Sequence, residues 1–395
     1  MKSVRILSID IFRGFTIFMM VFVNELAGVS NIPGWMKHRA ADFDGMTFVD
    51  VVFPAFLFIV GMAIPFAVNN REAKGESSFQ FWRHVLARTL GLLILGVFMV
   101  NAEEMNREAN LIPYGWWAAS FYVSAILLWN IYPLSSEKPR QTLYMGLKIL
   151  GAVVLLVLIF LFRKGPEDQL TGMTPSWWGI LGLIGWAYLV SILLYFVSRK
   201  NLLVLSGIFV LLLILLLGLR SESMAFPFNI SWLRGQTGHI AHSMLTIAGI
   251  ICSLILRKDG VLTSPAIKIR NIVVMGIMLV IAAYFIRPYG GISKIYATPA
   301  WALYCAAICC FIFPFVYWLV DVKGLKNWAN FLKPAGQNPL LTYILPSLIY
   351  AIIGYGFFPV WLKDGVVGFF WAILFSLMIL WIAKWLTKKG IRLHL

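Results

Sequence analysis

Charge is what this sequence has least of. Only 13% of its 395 residues are Asp, Glu, Lys or Arg, about half the share of a soluble domain. Hydrophobic residues make up 60% and the mean hydropathy is +0.83, so no water-facing surface can be built from the chain. Cysteine is also scarce: Cys252, Cys305, Cys309 and Cys310 all fall within apolar runs, which points to neither a disulfide framework nor a zinc site and leaves them as small packing residues. Long polar connections are missing as well. The longest, Val29 to Met46 and Arg220 to Thr237, are too short to fold as soluble domains, so any function must sit among apolar segments or in short loops.

What remains is a series of apolar runs, each near the roughly 20 residues needed to cross a hydrocarbon core of about 30 Å. Twelve are predicted: 10–28, 47–69, 85–103, 114–132, 144–162, 177–197, 202–219, 238–256, 271–286, 299–320, 339–358 and 366–386. The fold class expected is all-α, a polytopic transmembrane bundle of about 10–12 helices, with 1–395 as a single domain and the lipid bilayer as its surroundings. The excess of 33 Lys and Arg over 17 Asp and Glu does not indicate nucleic acid, because the basic residues alternate from loop to loop. With the N-terminus inside, twenty-three of them are cytoplasmic and ten are outside; this positive-inside bias predicts both termini in the cytoplasm and an even number of crossings. Lys2 and Arg5 before an apolar run ending in Leu26-Ala27-Gly28 superficially resemble a signal peptide. Asp10 and Arg13 interrupt that run, so it reads as the first span.

Intramembrane polar groups are costly and by default mark a functional cavity. They concentrate in the first two and last three spans, whereas 202–219 is nearly uniform Leu, Ile and Val and reads as a lipid-facing helix. Asp10 and Arg13, three apart, share a helix face and are expected to pair. Asn24, His38 and Asp50 map to the outer mouth. There a histidine can act as a general base, a carboxylate can orient it and a side-chain amide can stabilise an oxyanion; a solvated interfacial histidine is the plain alternative. His239 and His242 lie three apart with no third ligand in view and are expected at the interface rather than on a metal. His84, between Arg83 and Arg88, reads as a cytoplasmic-face charge. Toward the C-terminal end, Ser293-Lys294 and Thr298-Pro299 precede the tenth span. Gly336-Gln337-Asn338-Pro339 opens the eleventh, where free helical N–H groups could receive an anion or Asn338 could simply cap the helix.

The stretch Arg5-x-x-Ser8-x-Asp10-x-x-Arg13-Gly14, then Val21-Phe22-Val23-Asn24, His38, Asp44-Gly45-x-Thr47 and Asp50-x-x-Phe53-Pro54-x-Phe56-x-Phe58-x-x-Gly61, resembles the heparan-alpha-glucosaminide N-acetyltransferase family. So does Asp321-Val322-Lys323-Gly324 followed by Asn338-Pro339-Leu340. The resemblance implies a bacterial-type, multi-pass inner-membrane enzyme, with ten helices expected at its core, that takes acetyl from cytoplasmic acetyl-CoA to the amine of glucosamine or a terminal glucosaminide outside. It implies His38 as catalytic histidine, Asn24 as its companion and a homodimer. Asp50 joins these as a catalytic candidate, and Asp10, Arg13, Lys294, Gln337 and Asn338 are the candidate donor-binding residues; no metal is called for. One departure is plain: where many relatives carry a Leu-Gln-Arg run, this chain reads Tyr114-Gly115-Trp116-Trp117-Ala118-Ala119-Ser120. The competing expectations are a secondary transporter of a small solute, against which stands the crowding of polar groups at the ends of the spans, and an O-acyltransferase acting on a cell-envelope glycan.

Overall fold

A computed structural model describes residues 6–133, 137–221, 231–257, 264–354 and 356–393; Arg5 lies outside them. Among the described residues there is no β-strand, and every predicted span falls on a helix. The twelve principal helices are α1 (Leu7–Ala27), α2 (Val49–Ala73), α3 (Ser78–Glu103), α4 (Tyr114–Trp129), α5 (Lys138–Leu161), α6 (Ile180–Val197), α7 (Leu202–Arg220), α8 (Thr237–Arg257), α9 (Pro265–Ile286), α10 (Pro299–Tyr317), α11 (Pro339–Ile353) and α12 (Gly365–Lys388). Ten are long and apolar enough to cross a membrane. The other two, α4 with 16 residues and α11 with 15, rise only about 22–24 Å at 1.5 Å per residue, short of the hydrocarbon thickness. The protein is therefore a multi-pass helical membrane protein with ten full-length candidate spans among its described residues.

Several helices begin before the apolar run that predicts them, because polar capping extends them. Ser77 and Gln80 form a reciprocal capping box, Ser77 N–H to Gln80 Oε1 at 2.9 Å and Gln80 N–H to Ser77 Oγ at 3.3 Å, which starts α3 seven residues ahead of the predicted Val85. Ser264 caps α9 through the N–H of Ile267, with Pro265 in the first turn, where its missing N–H costs nothing. Asn201 caps α7 by accepting from Leu203 and Val204. That helix is largely exposed, as its uniform aliphatic composition predicts.

The chain forms two compact units. The first comprises the described parts of Met1–Thr16, Pro33–Thr89 and Ile184–Asn330. Its centre is the packing of α2 on α8, with α10 against both and α9 against α10. α2 and α8 touch backbone to backbone at two glycines: a Cβ on Gly61 would lie 1.8 Å from the Thr246 carbonyl oxygen, and one on Gly249 would lie 1.9 Å from that of Phe58. No side chain fits either position, so both glycines are required by the crossing. At the start of α1, the Asp321 carboxylate accepts the N–H groups of Leu7 and Ser8, both at 2.9 Å, supplying an acceptor to otherwise unpaired helical donors.

The second unit comprises Ile17–Ile32, Leu90–Leu183 and the described parts of Phe331–Leu395. α4 packs on α5 and α11, and α11 on α12. Asn101, fully buried, donates to the carbonyls of Val97 and Thr174 and accepts the N–H of Thr174, and the Trp117 indole donates to the Leu158 carbonyl.

Candidate active site

In the first unit three side chains distant in sequence converge. His38 follows the short 3-10 turn Gly34–Met36, Asp50 lies in the first turn of α2, and Lys294 sits in the loop between α9 and α10. His38 Nδ1 is 2.6 Å from Asp50 Oδ1. Asp50 is only 2% exposed while the His38 ring is 39% exposed, so a buried carboxylate steers an accessible imidazole.

Local sequence explains why Asp50 is held. Thr47 and Asp50 have the spacing of a capping box, and Asp50 Oδ2 accepts the Thr47 N–H at 2.9 Å, which leaves Oδ1 for the histidine. The Thr47 hydroxyl ties back to the Lys37 carbonyl at 3.0 Å, fixing the residue next to His38. From below, the fully buried indole of Trp301 donates to the Asp50 carbonyl at 3.3 Å. With the carboxylate at Nδ1, that nitrogen carries the proton, and Nε2 keeps its lone pair.

Lys294 Nζ stands 3.0 Å from His38 Nε2 and 3.3 Å from Nδ1. Burial pulls its ammonium below the usual lysine range, against the opposing field of Asp50. The loop that carries it is stitched to the His38 loop at several points. Arg287 pairs with Asp44 at 3.0 Å, Asp44 Oδ1 accepts the Ile292 N–H at 2.8 Å, Gly45 N–H reaches the Ile292 carbonyl at 3.0 Å, and Ser293 Oγ donates to the Ala41 carbonyl at 2.8 Å. Ala297 closes the loop at φ +48°, a left-handed conformation that a residue with a Cβ adopts only when its surroundings enforce it. A base, a carboxylate that orients it and a cationic proton donor thus share one accessible rim, an arrangement able to move protons in acyl transfer.

The remaining candidates are placed elsewhere. Asn24 is exposed on α1, in the second unit, and takes no part in the hydrogen bonds of the His38 cluster. Asp10 and Arg13 pair as expected at 3.3 Å. Gln337 is exposed at the end of the short helix Lys333–Gln337. Asn338 is 1% exposed and its side chain makes no capping bond. Instead it donates to Thr387 Oγ1 at 3.0 Å and the Ile391 carbonyl at 2.9 Å, and accepts the Leu393 N–H at 3.2 Å. Both amide hydrogens are therefore bound by the chain itself. His242, expected at the interface, is 6% exposed, packed against Phe53 and Trp301 at ring distances of 5.5 and 5.9 Å; it belongs to the layer beneath Asp50. No group of three or more His, Cys, Asp or Glu among the described residues is placed to hold a metal ion.

Sequence reasoning missed the partnership of Lys294 with His38, the Asp44–Arg287 stitch and Trp301. It also missed Glu25 in the second unit, whose carboxylate accepts from Tyr350 Oη at 2.7 Å and Trp371 Nε1 at 2.9 Å. Each depends on chain crossings with no local signal.

Residues 5–233, more than half of the chain, match the family model described as Domain of unknown function (DUF5009). The chain belongs to that family. It is also similar to the heparan-alpha-glucosaminide N-acetyltransferase of Homo sapiens, 35% identical over 97 residues, and to that of Mus musculus, 33% identical over 97 residues. Each match covers 25% of this chain and 14% of the relative. The similarity to an N-acetyltransferase is thus partial, and the matching family model is described as a domain of unknown function.

Proposed function

We propose that this protein is a transmembrane acyltransferase that moves an acetyl group from acetyl-CoA to the amine of glucosamine or a terminal glucosaminide. The observation that carries the reading is the 2.6 Å contact between His38 Nδ1 and the buried Asp50 carboxylate, which leaves Nε2 as a base on an accessible rim. The partial similarity to heparan-alpha-glucosaminide N-acetyltransferase supplies the reaction class.

In this reading Asp50 holds the tautomer of His38 and stabilises the imidazolium as it forms. Nε2 takes a proton as the acceptor amine attacks the thioester carbon, and amide replaces thioester. The donor's phosphates keep its nucleotide on the basic, cytoplasmic face, where Asp10 and Arg13 are the proposed donor-side residues, and the protein resides in the inner membrane with both termini inside. A two-step path through acetyl-His38 uses the same site and is distinguished by ping-pong kinetics.

The test is acetyl transfer in detergent, using labelled acetyl-CoA against a panel of amino sugars. The expected result is N-acetylated product from the parent chain and loss of product with His38→Ala. A secondary transporter would make no product in the absence of a bilayer, and product only from hydroxyl-bearing acceptors would move the assignment to O-acylation.

A further inference from the structure

Aminolysis of a thioester takes one proton off the amine nitrogen and puts one on the sulfur, and the reading above gives a side chain only to the first transfer. The second must reach the sulfur. A thiolate leaving at the rim of an apolar bundle is a charge with little water to solvate it, which is costly unless it is paired or protonated. The group placed to serve it is Lys294, 3.0 Å from His38 Nε2 and 3.3 Å from Nδ1. Its ammonium touches both ring nitrogens and so sits against the face of the imidazole, on the rim where His38 is 39% exposed.

Resting on the acetyl-transfer reading, we propose that Lys294 is the general acid of the reaction, delivering a proton to the departing sulfur and recovering one from His38. The steps balance. The amine nitrogen bonds to the acetyl carbon and its proton passes to His38 Nε2. The carbon–sulfur bond breaks as Lys294 Nζ gives its proton to sulfur. The His38 imidazolium then returns its proton to Lys294 across their direct contact. Amine and thioester become amide and thiol, and both side chains regain their starting states.

Three features support the assignment over a purely electrostatic role. Lys294 and His38 are in direct contact, so the return step needs no intervening carrier. The loop bearing Lys294 is pinned to the His38 loop by Arg287–Asp44, Ile292–Asp44 and Ser293–Ala41, which fixes the donor relative to the base. Partial burial makes the ammonium release its proton more readily than an exposed lysine does.

The experiment compares two acetyl donors, acetyl-CoA and S-phenyl thioacetate, with the parent chain and its Lys294→Arg, Lys294→Met and His38→Ala variants. A phenyl thiolate is a much weaker base than an alkyl thiolate and leaves without a proton. Arginine keeps the positive charge and does not give up its proton. The proposal expects both Lys294 variants to lose about 100-fold or more in kcat with acetyl-CoA and less than about tenfold with the phenyl donor, while His38→Ala loses both activities. Equal losses with the two donors, or full acetyl-CoA activity in Lys294→Arg, would overturn it, and a destabilised fold cannot mimic selectivity between donors. Failure of the underlying reading looks different: a parent chain inactive with both donors, or an active His38→Ala, overturns the function itself and the proposal with it.

Discussion

The His38 rim of the first unit and the Asn338 corner of the second both attract attention in the sequence as polar residues beside an apolar span, yet they differ in what they leave free. At the rim, Asp50 is held by Thr47 and His38, while the 39% exposed histidine meets only the Lys294 ammonium at Nε2, a partner that can exchange protons with it. At the corner, Asn338 gives both amide hydrogens and its carbonyl oxygen to Thr387, Ile391 and Leu393. Burial and polarity are common to both places; an atom with remaining chemical capacity is not. The first arrangement is suited to reaction, the second to holding the C-terminal segment against the start of α11.

This contrast breaks most readily at His38. His38→Ala should lower acetyl transfer per folded molecule by about 100- to 10,000-fold; a variant that transfers normally removes the rim from the mechanism. Asn338→Ala should do the reverse of His38→Ala. Losing three internal hydrogen bonds and leaving buried backbone groups unpaired should destabilise the fold by about 1–3 kcal/mol, with the rate per folded molecule preserved. A rate loss without loss of stability would instead place Asn338 on the donor.

The smallest expected effect is a pH dependence of stability. Burial holds the folded-state titration of Lys294 below lysine's ordinary value, so the unfolded chain binds more protons between those two points. The cost of charging Lys294 in the fold is fully present below its folded titration and is relieved as pH rises toward the ordinary lysine range. Unfolding of the parent and of Lys294→Met, followed in detergent from neutral to alkaline pH, should therefore show the parent gaining on the variant as pH rises. A parent that loses ground would mean that Asp50 stabilises the ammonium more than burial penalises it.

The helices were legible because composition and run length dictate them; the early starts of α3 and α9 were not read, because the caps Ser77-x-x-Gln80 and Ser264-Pro265 lie outside the apolar runs. The shortness of α11 was less visible, since the apolar run continues to Phe358 while the chain turns at Gly354, φ +83°. His38 and Asp50, twelve residues apart on either side of one short loop, could be suggested from sequence. Lys294, 256 positions from His38, could not be tied to it, because only the stitching of two loops brings them together. The role of Asn338 was hidden for the same reason: its partners lie about fifty residues away, in α12 and the segment after it.

The most direct measurement is labelled acetyl transfer by the purified chain in detergent, parent beside His38→Ala, with acetyl-CoA and glucosamine. The account predicts N-acetylglucosamine from the parent and almost none from the variant at equal folded concentration. Equal product from both, or none from the parent with any amino sugar, would contradict it.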